Sequence, residues 1–177
     1  GGTPGAAPVD TLDVVINEIL AHPVAPAGDA LELFNVSAEP VDLSGWWLSD
    51  TSSDFFKYQF PPGTTIDAGG YLVLDEEDFN AGGGANPADF AFSSAGDEAW
   101  LLATNAGGLP TRFADVVQFP ASSPGVSLGR LPDGAPGVEL LPLATNSLGL
   151  ANGQPVAGPG DFDGDGDVDR DDLKAWE

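Results

Sequence analysis

Residues 161–172 read DFDGDGDVDRDD and hold the sharpest chemistry in the chain. A hard dication takes about six to eight oxygen ligands, and a calcium loop supplies them at fixed positions, with glycine at the sixth for a sharp turn. Asp161, Asp163 and Asp165 fill positions one, three and five, and Gly166 is the turn. Asp167 would offer its backbone carbonyl at seven, Asp169 stands at nine and Asp172 at twelve. Val168 falls at eight, where an apolar side chain anchors such a loop. Without a cation these carboxylates repel one another, so the expected occupant is Ca2+. The alternative is a disordered acidic tail that meets the pattern because it is nearly all aspartate; the placement of Gly166 and Val168 counts against it. A single exposed loop implies a dissociation constant on the order of 10⁻⁴–10⁻³ M.

Other groups carry weaker signals. GVSLG at 125–129 has the spacing of a serine nucleophile elbow, but that motif needs a helix after it and a histidine later in the chain. The one histidine, His22, comes earlier, and Pro132 stops any helix, so Ser127 is not assigned as a nucleophile and His22 is read as a loop residue. Glu18 and Glu32 are the best candidates for a glycosidase carboxylate pair, against the reading of carboxylates hydrogen-bonded to backbone at a sheet edge. Asn35-Val36-Ser37 is a glycosylation sequon, meaningful only in a eukaryotic secretory pathway. Lys57 could form an isopeptide crosslink, but its position facing away from the aromatics favours an exposed lysine. There is no cysteine, hence no disulfide, thiolate metal site or cysteine nucleophile. No catalytic residue is assigned, and the chain is read as a non-enzyme.

The elements that must position these groups are short. Glycine (24) and proline (16) punctuate a sequence that is 42% hydrophobic, which favours many strands joined by turns around a real core. Five basic against 28 acidic residues give −23; the stretch from Asp161 to Glu177 carries −6 of it and leaves −17 on the body. Such a body repels phosphates and anionic lipid, so neither nucleic acid nor membrane is an expected partner, and no apolar run approaches the roughly 20 residues of a membrane span. The lack of methionine points to a processed or trimmed piece. Low lysine with high Asp, Gly and Thr suits an exported bacterial protein.

Residues 1–12 read as a Gly/Pro/Ala linker, 13–150 as one domain, 151–160 as a second linker and 161–177 as the calcium loop with the start of a helix. In DVVINEIL, Val14, Ile16 and Leu20 share a face, and Glu18 falls on it, a local conflict. ALELFN alternates. Phe56, Tyr58 and Phe60 share one face of DFFKYQF, with Lys57 and Gln59 opposite. YLVLD reads as a strand buried on both faces, and EEDFNAGGGANPADFAF as a surface loop with one helical turn. DEAWLLAT, FADVVQF, VSLGRL and VELL complete the strands. Trp46 and Leu48, with Phe56, Tyr58, Phe60 and Trp100, supply the expected aromatic core. Adjacent Trp46 and Trp47 point to opposite faces, so one of them is covered by a loop or left as a contact residue.

Five pieces occur in order: INEIL at 16–20, LELFN at 31–35, VDLSGWWLSD at 41–50, FPPGTTIDAGGYLVL at 60–74 and SLGRLPDG at 127–134. Together they resemble the lamin tail domain. That resemblance implies an all-β fold, an immunoglobulin-like β-sandwich, with no shared catalytic residues. The Gly-rich stretch around Ala81–Pro87 departs from the family pattern, and LLPLATNSLGLANG is apolar enough to cover a sheet edge or a partner. The acidic loop is of EF-hand type, and aspartate at position twelve followed by Leu173 resembles a dockerin repeat, of which one loop and LKAWE are present. The function expected is a non-catalytic binding or display module of a secreted or cell-surface protein, its partner an extracellular protein, a carbohydrate or a second copy. The alternative is a self-assembling extracellular structural subunit, a homo-oligomer that exchanges strands.

Overall fold

Residues 13–153 are described by a computed structural model. Asp161, Asp163, Asp165, Asp167, Asp169 and Asp172 lie outside the described residues, as do the whole of the expected linker 1–12 and residues 154–160 of the second. The β-branched run after Asp13 forms β1 (Val14–Leu20), an inner strand of a five-stranded sheet. Beside it lie β2 (Ala30–Asn35) and then β7 (Tyr71–Asp75) at one edge. On its other side stand two short strands, β10 (Leu128–Gly129) and β11 (Leu141–Pro142). A four-stranded sheet runs β5 (Tyr58–Gln59), β4 (Trp47–Ser49), β8 (Gly96–Thr104) and β9 (Pro110–Pro120). A small ladder pairs β3 (Val41–Asp42) with β6 (Thr65–Ile66), and every pairing is antiparallel.

The core lies between the two sheets. Val14, Ile16, Ile19, Leu31 and Leu33 enter it from the larger sheet, and Leu48, Ala99, Leu101 and Val117 from the smaller. Trp46 and Phe60 join them where the backbone of the two residues pairs just beyond β4 and β5. Each large side chain buried in this way stabilises the fold by roughly 1.5–3 kcal/mol before conformational entropy is counted. The one helical turn, α1 (Glu76–Phe79), is capped by Asp75 and Asp78. It opens a loop whose Phe79, Phe90 and Phe92 are all buried and mutually packed at centroid distances of 4.8–5.6 Å. The loop is therefore a plug for one end of the sandwich, anchored where the Phe92 amide donates to Asp29 Oδ2 at 2.7 Å.

Four sequence readings are corrected. β1 carries a bulge: Ile16 pairs with Leu33 but Glu18 pairs with Glu32, so Asn17 is the extra residue. The core face then continues as Ile19 and Ala21, while Leu20 and Glu18 turn outward, which removes the conflict that simple alternation produced. β7 is not buried on both faces, because it is an edge strand; only Leu74 is buried and Val73 is 37% exposed. Phe56 and Trp100 leave the expected core: the chain turns at Asp54–Lys57 instead of running straight, and Trp100 pairs opposite Ser49 on the outer side of its sheet. Lys57 is not a free surface lysine, since its Nζ stands 2.6 Å from Asp50 Oδ1 and 5.6 Å from the Phe90 ring centre.

Candidate functional site: one closed face and one open face

The bulge at Asn17 organises the outer face of the larger sheet. Its side chain donates to Glu32 Oε1 (2.8 Å) and Asp133 Oδ1 (3.1 Å), and its Oδ1 accepts from the Gly134 amide (3.0 Å). Its carbonyl accepts from the amide of Arg130 and the side chain of Asn152. A residue outside the ladder has these groups to give, which is why a polar side chain is tolerated in an otherwise apolar strand. Glu18 and Glu32 stand opposite each other across β1 and β2, both fully buried. They are on inner strands, not at a sheet edge.

The segment after β11 closes over this pair. Ser147 donates its amide to Glu18 Oε1 (3.0 Å) and its hydroxyl to Glu18 Oε2 (2.8 Å). The Gly149 amide donates to Glu32 Oε2 at 2.6 Å, and the Asn152 amide to Asp133 Oδ1 at 3.0 Å. Leu143 is buried beneath. Residues 143–152 thus form a strap over the sheet, the apolar closing segment covering its own chain. Gly129 makes room for it: a Cβ there would lie 2.6 Å from Asn152 Nδ2 and 2.7 Å from Leu143 Cδ1. Burial pushes the Glu32 carboxyl up to about 7, with the Glu18 and Asp133 charges adding to it and the Asn17 and Gly149 donors opposing. Burial, and then the Asp133 carboxylate it donates to at 2.6 Å, push the Tyr71 hydroxyl above its usual range. Both Glu18 and Glu32 are occupied by donors of the chain itself, which leaves no cleft for a substrate between them.

A second polar tie joins the sheets. Arg130 donates to Asp115 Oδ2 (2.8 Å), the Ile16 carbonyl (2.8 Å) and the Ala135 carbonyl (2.6 Å), and Asp115 Oδ2 also accepts the Ile16 amide at 2.8 Å. Both side chains are buried, at 3% and 7% exposure. The pair lines a cavity of about 300 Å³ between β9 and residues 137–140.

The outer face of the four-stranded sheet is the opposite case. Trp47 pairs with Leu102, Leu102 with Phe113, and Trp100 with Val116, so these side chains share one face. Phe55, Trp100 and Phe113 pack edge to face at 4.9–5.2 Å, and Trp47 meets Phe56 at 5.3 Å. Phe56, Phe113 and Val116 remain 50%, 40% and 36% exposed, and Trp47 is half-buried. No segment among the described residues covers this patch as the strap covers the other sheet.

The remaining candidates have structural places. Ser127 is fully buried. His22 lies in a loop with Nδ1 2.9 Å from the Ser122 carbonyl. Asn35 of the sequon is fully buried, its amide bonded to the Glu39, Ile66 and Asp67 carbonyls, so a folded domain presents no acceptor there. Among the described residues no group of three or more His, Cys, Asp or Glu side chains is placed to hold a metal ion, and no helix is long and apolar enough to cross a membrane. Sequence reasoning missed Asn17, Asp133 and the Arg130–Asp115 pair. An asparagine inside a β-branched run was the available signal for the first; Asp133 meets Asn17 from 116 residues away, and Arg130 and Asp115, 15 residues apart, meet on Ile16 from 114 and 99 residues away.

Two antiparallel sheets packed face to face around one core, with a bulged strand tied to both, define an immunoglobulin-like β-sandwich. The chain belongs to the lamin tail domain family, whose sequence profile matches residues 8–119. The match takes in the first four of the five resembling pieces; SLGRLPDG and the strap lie beyond it. No curated protein matches the chain.

Proposed function

We propose that this chain is a non-catalytic binding and display module of a secreted or cell-surface protein, and that it meets its partner through the aromatic face of the four-stranded sheet. The observation that carries the reading is the contrast between two outer faces: one closed by the chain's own strap, the other rich in Trp and Phe and left open. Open apolar patches rimmed by polar residues mark interaction sites, and aromatic side chains dominate such contacts. Membership of a family whose domains generally lack catalysis supports the same view. The partner is an extracellular protein or carbohydrate; the net charge of −23 disfavours nucleic acid and anionic lipid. In this reading the dockerin-like segment Asp161–Asp172 binds Ca2+ through Asp161, Asp163, Asp165, Asp167, Asp169 and Asp172.

A screen of the whole chain against protein, glycan and cell-wall arrays tests the reading, and silence on all three would sink it. Calorimetry with calcium tests the loop, with uptake expected in the submillimolar to millimolar range. The second reading is an extracellular assembly subunit, favoured by Val116–Pro120 at the end of edge strand β9, where another chain's strand could add. Light scattering with calcium and with chelator separates the two. Mass that rises with calcium and falls without it supports assembly, and a monomer in both conditions returns the search to external partners.

A further inference from the structure

We propose that the strap over β1 and β2, residues 143–152, is a proton-operated latch that is seated when Glu32 is neutral and loosens when it ionises. The geometry supplies every part. Two fully buried glutamates stand directly opposite across neighbouring strands, and the strap is fastened to the sheet through them: Ser147 on Glu18, Gly149 on Glu32. A third carboxylate, Asp133, enters from the loop between β10 and β11 and holds the strap's end through the Asn152 amide.

The charged and titratable groups around Glu32 are the acids Glu18 on β1 and Asp133 on that loop, and the Tyr71 hydroxyl on β7, which is bonded to Asp133. Its partner on β7 is Val73, which is apolar. Arg130 of the adjoining segment has its guanidinium on Asp115, Ile16 and Ala135, and does not serve as counter-ion. Asn17 and Gly149 are neutral donors. Ionised Glu32 therefore stands buried beside acids with no cation to offset them, under a cover fastened by Ser147, Gly149 and Asn152 and by the Leu143 amide on the Ser127 carbonyl. The sheet beneath is held by full ladders and the core, whereas the strap can lift away and let water reach the carboxylates. Relief of the burial, and of the smaller repulsion from Glu18 and Asp133, falls on the strap for that reason.

The sign follows from the direction of the shift. Glu32 is held up to about 7 from an ordinary 4.5, so the seated state binds its proton more tightly than the lifted state. Seating is fully favoured below about 4.5 and is lost as pH rises through about 7. The distance between the two values sets a change in the seating equilibrium on the order of a hundredfold.

The experiment is hydrogen–deuterium exchange on the full chain between pH 5 and pH 9, corrected for intrinsic rates, read on peptides covering 143–152 and on β1 and β2. Strap protection is expected to fall by about a hundredfold, mostly between about pH 5 and pH 7, and to level off above that, while β1 and β2 stay protected. In Glu32→Gln the strap's protection should be flat with pH. A wild-type strap whose protection does not change, or one that changes equally in Glu32→Gln, overturns the proposal. A measurement on the unaltered chain guards against a variant that misfolds. The Glu32 carboxyl carbon, followed by NMR, should titrate near pH 7, where the strap's protection levels off, and a separation of more than about one unit between the two refutes the coupling.

Discussion

The two sheets of this sandwich share a core but treat their outer faces in opposite ways. Over the larger sheet, the outward side chains include Glu18 and Glu32 beside Leu20 and Phe34, and the chain returns from β11 to cover the two carboxylates with backbone and hydroxyl donors. Over the smaller sheet they include Trp47, Trp100, Leu102, Phe113 and Val116, and among the described residues it is Phe55 and Phe56 whose rings pack on them. Buried carboxylates demand partners, and a protein that buries them must supply those partners itself. Exposed rings make no such demand, and their cost is relieved only by a partner. The carboxylates are therefore satisfied within one chain, and the aromatic face is the one left open for the partner proposed above.

The comparison is broken most forcefully at Arg130. Arg130→Ala leaves Asp115 buried without its cation and frees the carbonyls of Ile16 and Ala135, and is expected to destabilise by about 3–5 kcal/mol. Urea unfolding reads this directly. A loss under about 1 kcal/mol would mean that the tie between β9 and β1 does not hold the closed side together. Asn17→Ala comes next. It removes donors from Glu32 and Asp133 and the acceptor of the Gly134 amide, for an expected loss of about 2–4 kcal/mol. Crosslinking or exchange should show the strap affected before the aromatic face.

Changing pH sharpens the contrast without a mutation. Burial holds Glu32 at about 7 and Asp29 at about 6, both above their ordinary 4.5 and 3.8. A carboxyl whose folded value is raised contributes its stability in full below the unfolded value and loses it as pH rises through the folded one. Stability should therefore decline between about pH 4 and pH 8, by about 2–3 kcal/mol for each group. Asp42 and Asp89 are held low, chiefly by donors from Ser44 and Asn86, and act in the other direction, but they lie on the surface and titrate below this window. Urea midpoints that rise from pH 5 to pH 8 would contradict the burial of Glu32 and Asp29 as described.

The fold was legible wherever local alternation suffices. Trp46 and Leu48 on one face with Trp47 on the other, and Tyr58 with Phe60 toward the core, follow from period two and hold in the structure. Alternation failed where the chain departs from it. A bulge is invisible to a period, so Glu18 was placed on the core face, and the turn at Asp54–Lys57 sent Phe56 outward against the pattern. Edge position is also a property of the whole sheet, which is why YLVLD read as buried on both faces. The carboxylate pair was visible as Glu18 and Glu32, but what satisfies it was not. Ser147 is 129 residues from Glu18, and Gly149 is 117 from Glu32.

The smallest effect on stability should accompany the largest effect on binding. Phe113 projects from β9 on the open face and is 40% exposed already. Phe113→Ser gives up edge contacts with Phe55 and Trp100, but creates no closed cavity and strands no polar group, so about 1 kcal/mol or less is expected from unfolding curves. Against an array-identified partner the same change should cost at least about tenfold in affinity, because a central aromatic contact on a dry patch is worth about 1–2 kcal/mol or more. If stability fell by about 3 kcal/mol, the ring would belong to a second core and not to a contact surface. If affinity were unchanged while binding persisted, the partner would sit elsewhere, and the open face would be no more than the outer side of a sheet.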